Sequence, residues 1–233
     1  MVTLDGPAGS GKSTTAREVA RRLGFRHLDS GALYRALTVA LLRSEYPRET
    51  WDSLSEDALL RLGVRVTASR STLQVLLGDQ TLDRELRTPE VTALVSPLAR
   101  LSAVRSALLG LQRQAGAHGR LVADGRDMGT VVFPDAEVKV FLVADLRERA
   151  RRRLLEQADT EPTETAVEEE ARRIAERDER DSTREISPLR RPADAVDLDT
   201  THLSFREQVE AVVALVRARA PETSDVDRNP PRT

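Results

Sequence analysis

The first fourteen residues constrain the fold of this chain more than any other stretch. Residues 2–5 (VTLD) predict a short buried strand, residues 6–13 fill the pattern G-x-x-x-x-G-K-[ST], and a helix is predicted from Ser13 to Leu23. A strand, a glycine-rich loop and a helix in this order are typical of a loop that turns backbone amides toward phosphate groups. The residues expected to bind the phosphates of a nucleoside triphosphate are Gly6, Pro7, Ala8, Gly9, Ser10, Gly11, Lys12, Ser13 and Thr14.

Two side chains of this loop carry specific expectations. Lys12 is predicted to bring a positive charge to the β- and γ-phosphates, and Ser13 to offer its hydroxyl to Mg²⁺. Among 36 basic residues, only Lys12 and Lys139 are lysines, so the arginine bias of the chain does not extend to this position. A compact ammonium group fits between phosphates where a planar guanidinium would not.

Composition narrows the classes of protein. A length of 233 residues indicates one large domain or a core with small insertions, and a net charge of −2 argues against a global field that attracts nucleic acid. Without cysteine, the chain has no disulfide or thiolate chemistry. No apolar run approaches the ~18 residues of a membrane span, and the first predicted strand leaves no room for a signal peptide. We therefore expect a cytoplasmic protein with no membrane partner.

The next pattern predicts a second anion site. Residues 26–29 read as a strand, followed by a helix from Ser30 to about Ser44 with Ser30 as its N-cap. Tyr34 and Arg35 lie one turn into that helix. A strand end, a helix amino end and a guanidinium therefore converge opposite the phosphate loop.

The alternation of strands and helices is then interrupted by a small antiparallel meander. A short helix over residues 55–62 precedes it, and its predicted strands are residues 64–67, 73–77 and 80–82. Thr88 is expected to cap the next helix, with Pro89 at the first helical position. Ser96 and Pro97 are expected to interrupt that helix, and residues 102–115 to form a longer one.

A carboxylate that can serve a magnesium ion is predicted at Asp124, where the strand of residues 119–124 ends. An acid in this position orients the water shell of magnesium. Residues 125–130, dense in charge and glycine, follow at the edge of the sheet where ligands bind in doubly wound folds. The three histidines lie outside any metal-ligand spacing and are expected to be solvated or capping residues: His27, His118 and His202.

The last part of the chain is dominated by charged helices. Charge runs are usually solvated helix faces, but two helices joined by a polar break also form a lid that closes arginines onto ATP. Arg177, Asp181 and Arg184 are spaced to share one helix face. The predicted elements are a strand at 138–144, helices at 146–157 and 165–181, a strand at 195–199, a helix at 204–219 and a disordered tail at 221–233.

Five motifs occur in the order found in one known family. They are G-P-A-G-S-G-K-S, D-S-G-A-L-Y-R, L-R-T-P-E-V, A-D-G-R-D-M-G-T-V-V-F-P-D-A and E-R-D-E-R-D-S-T-R. Together they closely resemble the bacterial cytidylate kinases over about residues 2 to 217, and the fourth motif is the most specific. The N-K-x-D motif of GTPases is absent, since Asn229 is the single asparagine.

This resemblance implies an α/β P-loop kinase fold with a five-stranded parallel sheet flanked by helices. It also implies a nucleoside-monophosphate (NMP) binding domain with a small antiparallel insert, and a short helical lid. The implied divisions are a core of residues 1–29, 97–145 and 186–220, an NMP-binding domain of 30–96 with its insert at about 63–83, a lid at 146–185, and the tail.

The resemblance further implies transfer of a phosphoryl group from ATP, with Mg²⁺, to CMP or dCMP by a monomer. By the same resemblance, Ser30, Arg35 and Arg126 hold the CMP phosphate, and Arg177 and Asp181 contact the sugar. The implied readers of the cytosine edge are Ser96, Arg105, Asp127 and Arg184. Lys12, Arg35 and Arg126 are the implied catalytic residues, Ser13 binds Mg²⁺ directly and Asp124 binds it through water.

Two other interpretations remain open from the sequence. The first is a sister kinase for another small acceptor, such as AMP, UMP or shikimate. The second is a nucleotide-dependent binding module without catalysis, although a second anion site has no use in a simple switch.

We predict that Lys12→Arg abolishes phosphoryl transfer and leaves the fold intact. The guanidinium keeps the charge but does not fit between the phosphates. Steady-state assays of ADP release, with circular dichroism as the check on folding, test this expectation. A near-normal kcat in a folded variant would contradict it.

Overall fold

The computed structural model describes residues 1–69, 72–158 and 160–219. The predicted tail at 221–233 lies outside these ranges. The strands are β1 (Val2–Asp5), β2 (Arg26–Asp29), β3 (Val64–Ser69), β4 (Thr72–Leu77), β5 (Gln80–Thr81), β6 (Leu121–Gly125), β7 (Val138–Val143) and β8 (Val196–Asp199). The α-helices are α1 (Lys12–Leu23), α2 (Ser30–Arg43), α3 (Glu56–Leu60), α4 (Pro89–Leu98), α5 (Ser102–Gly116), α6 (Leu146–Gln157), α7 (Glu164–Thr183) and α8 (Phe205–Arg219).

The main sheet has five strands in the order β2-β6-β1-β7-β8, and every neighbouring pair is parallel. This confirms the fold class expected from the sequence. β1 is the central strand and is buried along its whole length, as are the short apolar strands of parallel sheets covered on both faces. The phosphate loop therefore leaves the sheet from the middle of its carboxyl edge.

Helices cover both faces of this sheet and define separate cores. On one face, α1 and α8 pack on the central strands through Val19, Val209 and Val212. On the other face, α2 and α5 bury Leu37 and Leu108 in a larger cluster that includes the meander. A third, smaller cluster joins α6 and α7 next to the phosphate loop; its buried members are Ala8, Ala150, Val167, Ala171 and Ile174.

The meander is confirmed as a separate antiparallel sheet. β3 pairs with β4 and β4 with β5, and Val64 and Val75 are buried in the larger core. Thr88 caps α4, because its side chain accepts a hydrogen bond from the backbone N–H of Val91.

The predicted N-cap of α2 is wrong by one residue. Asp29 is the cap, with an extended backbone and a carboxylate that accepts from the Ala32 N–H at 3.0 Å. Ser30 is the first helical residue, and its hydroxyl accepts from Gln112 Nε2 at 2.7 Å. Aspartate and serine are equally good caps, and the strand end at Asp29 decides between them.

The predicted interruption of α4 at Ser96 and Pro97 is also wrong. The helix continues through Pro97 to Leu98, and the Ala99 N–H still donates to the Val95 carbonyl at 3.0 Å. Because Pro97 is next to the last helical residue, the helix loses a single N–H donor just before it ends. The chain then bends into α5.

Within the ranges given above, no single helix is long and apolar enough to cross a membrane. Pro89–Leu98 and Ser102–Gly116 pass that test together, but they are bent by 100° relative to each other.

We predict that Gly6→Ala destabilises the fold by about 1–3 kcal/mol through steric overlap. Gly6 has a φ of +149°, and a Cβ there would lie 2.1 Å from the Leu142 carbonyl oxygen of the neighbouring strand. Gly110 is the matched control, because a Cβ at this helical position meets nothing within 4 Å. Gly110→Ala should stabilise by about 0.5–1 kcal/mol. Urea denaturation measures both changes, and equal stabilities of Gly6→Ala and wild type would contradict the prediction.

Candidate active site

The candidate site lies at the carboxyl edge of the parallel sheet. The phosphate loop follows β1, Asp124 lies near the end of β6, and Asp29 ends β2 in register with Asp124. Since the strands are parallel, these side chains meet at one edge.

The phosphate loop surrounds the ammonium group of Lys12. This side chain lies at the start of α1, is 5% exposed, and donates to the Pro7 carbonyl and to Ser10 Oγ. Burial, followed by the charge of Arg126, lowers the pKa of Lys12 well below its ordinary value. An anion at this loop would favour the charged ammonium.

Ser13 and Asp124 form an oxygen donor set beside the loop. The Ser13 hydroxyl donates to Asp124 Oδ2 at 2.5 Å. Mg²⁺ takes oxygen ligands and keeps several waters, using one or two protein groups plus phosphates rather than a cage of side chains. A hydroxyl and a carboxylate beside a phosphate loop fit this ion. Within the described ranges, the chain has no cluster of three or more His, Cys, Asp or Glu that could hold a metal on its own.

His27 departs from the sequence expectation. It is 8% exposed, and its Nε2 lies 2.7 Å from Asp124 Oδ1, so it is neither solvated nor a helix cap. The side chain therefore helps to fix the carboxylate whose other oxygen meets Ser13. No local pattern in β2 signals this pairing, because its partner is 97 residues away.

A group of guanidinium side chains faces the phosphate loop. Burial lowers the pKa of Arg35, and burial lowers that of Arg177 to about 9; Arg126 contributes repulsion to both. Arg35 is anchored by hydrogen bonds from Nη1 to the Leu86 carbonyl and to Thr92 Oγ1, both at 3.0 Å. Three partly buried cations that repel one another form a site for an anion of high charge.

A second group of side chains surrounds Asp127. Its carboxylate forms a buried ion pair with Arg105, whose guanidinium lies over the Tyr34 ring at 5.6 Å. Burial raises the pKa of the Tyr34 hydroxyl to about 12, although the charges of Arg105 and Arg184 act to lower it. The arrangement presents both a carboxylate and cationic donors, which suits a polar base edge.

Four polar atoms of this region are buried without a hydrogen-bond partner among the residues that the structure describes. They are Ser96 Oγ, Arg105 Nε, Arg177 Nε and Arg184 Nη2. Buried polar groups are paired in more than nine-tenths of cases, so unpaired donors gathered at one site indicate a polar ligand. The same four residues are among those that the family resemblance implies for binding CMP.

Asp181 is held by residues outside its own helix. It is 5% exposed, so the interpretation of this helix face as solvated is wrong for Asp181. Its carboxylate pairs with Arg126 Nε at 2.9 Å and lies 3.8 Å from Arg184 Nη1. Arg126 is therefore the anchor of this acid. Arg184 follows the last residue of α7 as its C-cap.

The segment carrying Arg126 and Asp127 is fixed by Asp5. The Asp5 oxygens accept the backbone N–H groups of Met128 and Gly129 at 2.8 and 2.7 Å. These amides begin a short π-helical turn, Met128–Val132. Burial raises the pKa of Asp5 to about 6, although the two amides favour its charged form.

Sequence reasoning missed Asp5, Asp178 and Arg149 as parts of this region. Asp178 and Arg149 lie on α7 and α6 and contact the backbone of the phosphate loop. Both residues lie in charged helical runs, where the pattern gives no sign of which charges are buried.

A phosphate loop after the central strand of a parallel sheet, opposite a second buried cationic site, defines a P-loop kinase. The family model described as cytidylate kinase matches residues 2–218. The cytidylate kinase of Salinibacter ruber is 47% identical over 224 residues, covering 94% of this chain and 97% of the relative. That of Carboxydothermus hydrogenoformans is 43% identical over 215 residues, covering 92% and 96%. This chain belongs to the cytidylate kinase family.

The structural comparison is more distant. A crystal structure of shikimate kinase from Bacteroides thetaiotaomicron aligns with a TM-score of 0.47 at 14% identity, over 93% of this chain and 96% of that chain. A likeness at this level does not bear on the choice of substrate.

We predict that Asp181→Asn lowers kcat/KM for CMP about ten- to hundredfold, since a charge-assisted hydrogen bond is worth about 1.5–3 kcal/mol. KM for ATP should change less than about twofold, because the phosphate loop is a separate part of the site. Steady-state kinetics with each substrate varied in turn measures this split. Glu176→Gln on an exposed position of the same helix is the control, and wild-type kinetics with CMP in Asp181→Asn would refute the role.

Proposed function

We propose that this chain transfers the γ-phosphoryl group of ATP to CMP or dCMP, giving ADP and CDP or dCDP. The observation that carries this proposal is the set of unpaired buried donors near Asp127, opposite the phosphate loop. A nucleotide with a phosphate and an amino-bearing base edge would pair both the donors and the carboxylate.

The acceptor roles follow from the two groups of side chains. Arg35 and Arg126, with Ser30 at the start of α2, bind the CMP phosphate. Asp127 accepts the cytosine amino group, and Ser96, Arg105 and Arg184 bind the other polar atoms of the base. Arg177 and Asp181 bind the sugar. The charges of Arg126 and Arg35 lower the pKa of Arg177, so its guanidinium also contributes to the positive charge that attracts the phosphate.

Mg²⁺ accompanies ATP in this proposal. Ser13 would supply a direct ligand and Asp124 would bind the hydrated ion through water, and their hydrogen bond beside the loop supports these roles. When bound, the ion would neutralise charge on the phosphates of ATP. His27 holds Asp124 in place for this task.

The mechanism requires no general base from the protein. The second pKa of a phosphate monoester is about 6, so the attacking oxygen of CMP is already largely ionised near neutral pH. The protein's contribution is to place the two phosphates in line and to stabilise the charge that spreads over the transferring group. Lys12 acts from the donor side, and Arg126 and Arg35 act from the acceptor side.

A cavity of about 590 Å³ is a candidate site for the base of ATP. It is lined by Asp145 after β7, by Thr201 and His202 after β8, and by side chains of α6 and α7. Since nucleotides bind at this edge of parallel sheets, we place the adenine there.

The domain divisions expected from the sequence form part of the proposal. The helices α6 and α7 act as the lid at 146–185 and exclude water that would otherwise accept the phosphoryl group. We propose a monomer, because every proposed contact comes from one chain. We also propose that the protein is cytoplasmic and needs neither nucleic acid nor a membrane.

A coupled ADP-release assay tests the function against its alternatives. The acceptors are CMP, dCMP, UMP, AMP, GMP and shikimate, each at matched concentration with MgATP. The fastest turnover is expected with CMP and dCMP. Preference for AMP or shikimate would indicate a sister kinase, and ATP binding without turnover would indicate a binding module.

We predict that CMP and dCMP have a much higher kcat/KM than UMP. Asp127 accepts a hydrogen bond from the cytosine amino group, whereas uracil presents a carbonyl oxygen that repels the buried carboxylate. Asp127→Asn, which can donate as well as accept, should narrow the difference between CMP and UMP. Equal kcat/KM for the two nucleotides in the wild-type enzyme would refute this prediction.

A further inference from the structure

Both backbone groups of Ala8, in the phosphate loop, are bound by side chains from the lid helices. The Ala8 N–H donates to Asp178 Oδ1 at 2.8 Å, and the Ala8 carbonyl accepts from Arg149 Nη1 at 2.9 Å. Arg149 also forms an ion pair with Asp178, which closes a ring of contacts around one residue of the loop. We call Asp178 and Arg149 the Ala8 clamp.

The clamp is built into the fold rather than formed by surface charges. The Arg149 and Asp178 side chains are 10% and 18% exposed, and Arg149 Nε donates to the Ala144 carbonyl just after β7 at 3.0 Å. A Cβ at Gly9 would lie 3.2 Å from the Cβ of Arg149. The glycine therefore lets α6 approach the loop closely enough for these bonds.

The contacts of Ala8 bear on the conformation of the residues that follow. A buried N–H needs a partner, and Ala8 is 3% exposed. With its N–H and carbonyl both engaged, the two peptide units on either side of the Ala8 Cα are held in place. The amides from Gly9 onward therefore keep their inward direction. Asp178 reaches this peptide across 170 residues of sequence.

We propose that Asp178 and Arg149 are positioning residues for ATP, because they hold the phosphate loop in its phosphate-binding shape and attach the base of the lid to it. The inference rests on the ATP-dependent function proposed above and adds residues to the ATP site. Neither side chain needs to touch the nucleotide.

Simple electrostatics predicts the opposite result from positioning. Asp178 is an anion near a site for a polyanion, so its removal should strengthen ATP binding if charge alone mattered. Under the clamp, Asp178→Asn keeps an acceptor for the Ala8 N–H but replaces the oxygen that pairs with Arg149 by an NH2 group. Arg149 then loses its partner, the loop is held less firmly, and ATP binding weakens. The sign of the change therefore separates the two explanations.

The experiment compares Asp178→Asn with wild type in the full chain. We expect KM for ATP to rise about tenfold and KM for CMP to change less than about twofold. Calorimetry with Mg²⁺ and a non-hydrolysable ATP analogue, without CMP, should show the same tenfold loss of affinity. Glu179→Gln, the exposed neighbour with the same change of charge, should leave both values unchanged.

A double-mutant cycle completes the test. Arg149→Gln alone should weaken the analogue about as much as Asp178→Asn, and the two together should cost little more than either. Tighter binding, unchanged binding with a lower melting temperature, or fully additive losses would each overturn the proposal. Arg149→Lys, which keeps the charge but not the fork of donors, replaces Asp178→Asn if that variant does not fold. Failure of wild type to phosphorylate CMP would refute the function and leave the calorimetric test of the clamp intact.

Discussion

Repulsion among buried and partly buried cations is the constraint on which the rest of this structure depends. Lys12, Arg126 and Arg177 come from the loop after β1, the turn after β6 and the helix α7. Besides burial, the charges of Arg126 and Arg177 lower the pKa of Lys12, and the charge of Arg126 lowers that of Arg177. Removing such charges from water and placing them together is costly without anions. The parallel sheet provides the geometry in which this is feasible, because its carboxyl edge gathers strand ends that are distant in sequence. Two bound nucleotides would supply the balancing charge.

Carboxylates hold several arginines of the site in place. Asp127 pairs with Arg105, Asp181 with Arg126, and Asp178 with Arg149. Each acid lies on a different segment from its partner, so the ion pairs also join the elements that carry them. A site built in this way needs little reorganisation when charge develops on the transferring group, which is the main source of electrostatic catalysis.

The sequence predicts those parts of the structure that depend on local patterns. The strand, loop and helix at the amino end and the strands of the meander follow from hydrophobic periodicity and from glycine spacing, whereas the five-stranded parallel sheet is implied by the resemblance to a known family. Ser30 and Asp29 show a first limit, because both are good caps and the choice depends on where the strand ends. His27 and Asp178 show a second limit: their partners Asp124 and Ala8 lie 97 and 170 residues away, and no local pattern carries that information.

Asp5 fixes the segment that carries Arg126 and Asp127 relative to the phosphate loop. It is the last residue of the strand that leads into the phosphate loop, and it binds the two amides that follow Asp127. The spacing between donor and acceptor is therefore set by one side chain and the rigid centre of the sheet. A misplacement of 1 Å can cost about a hundredfold in rate.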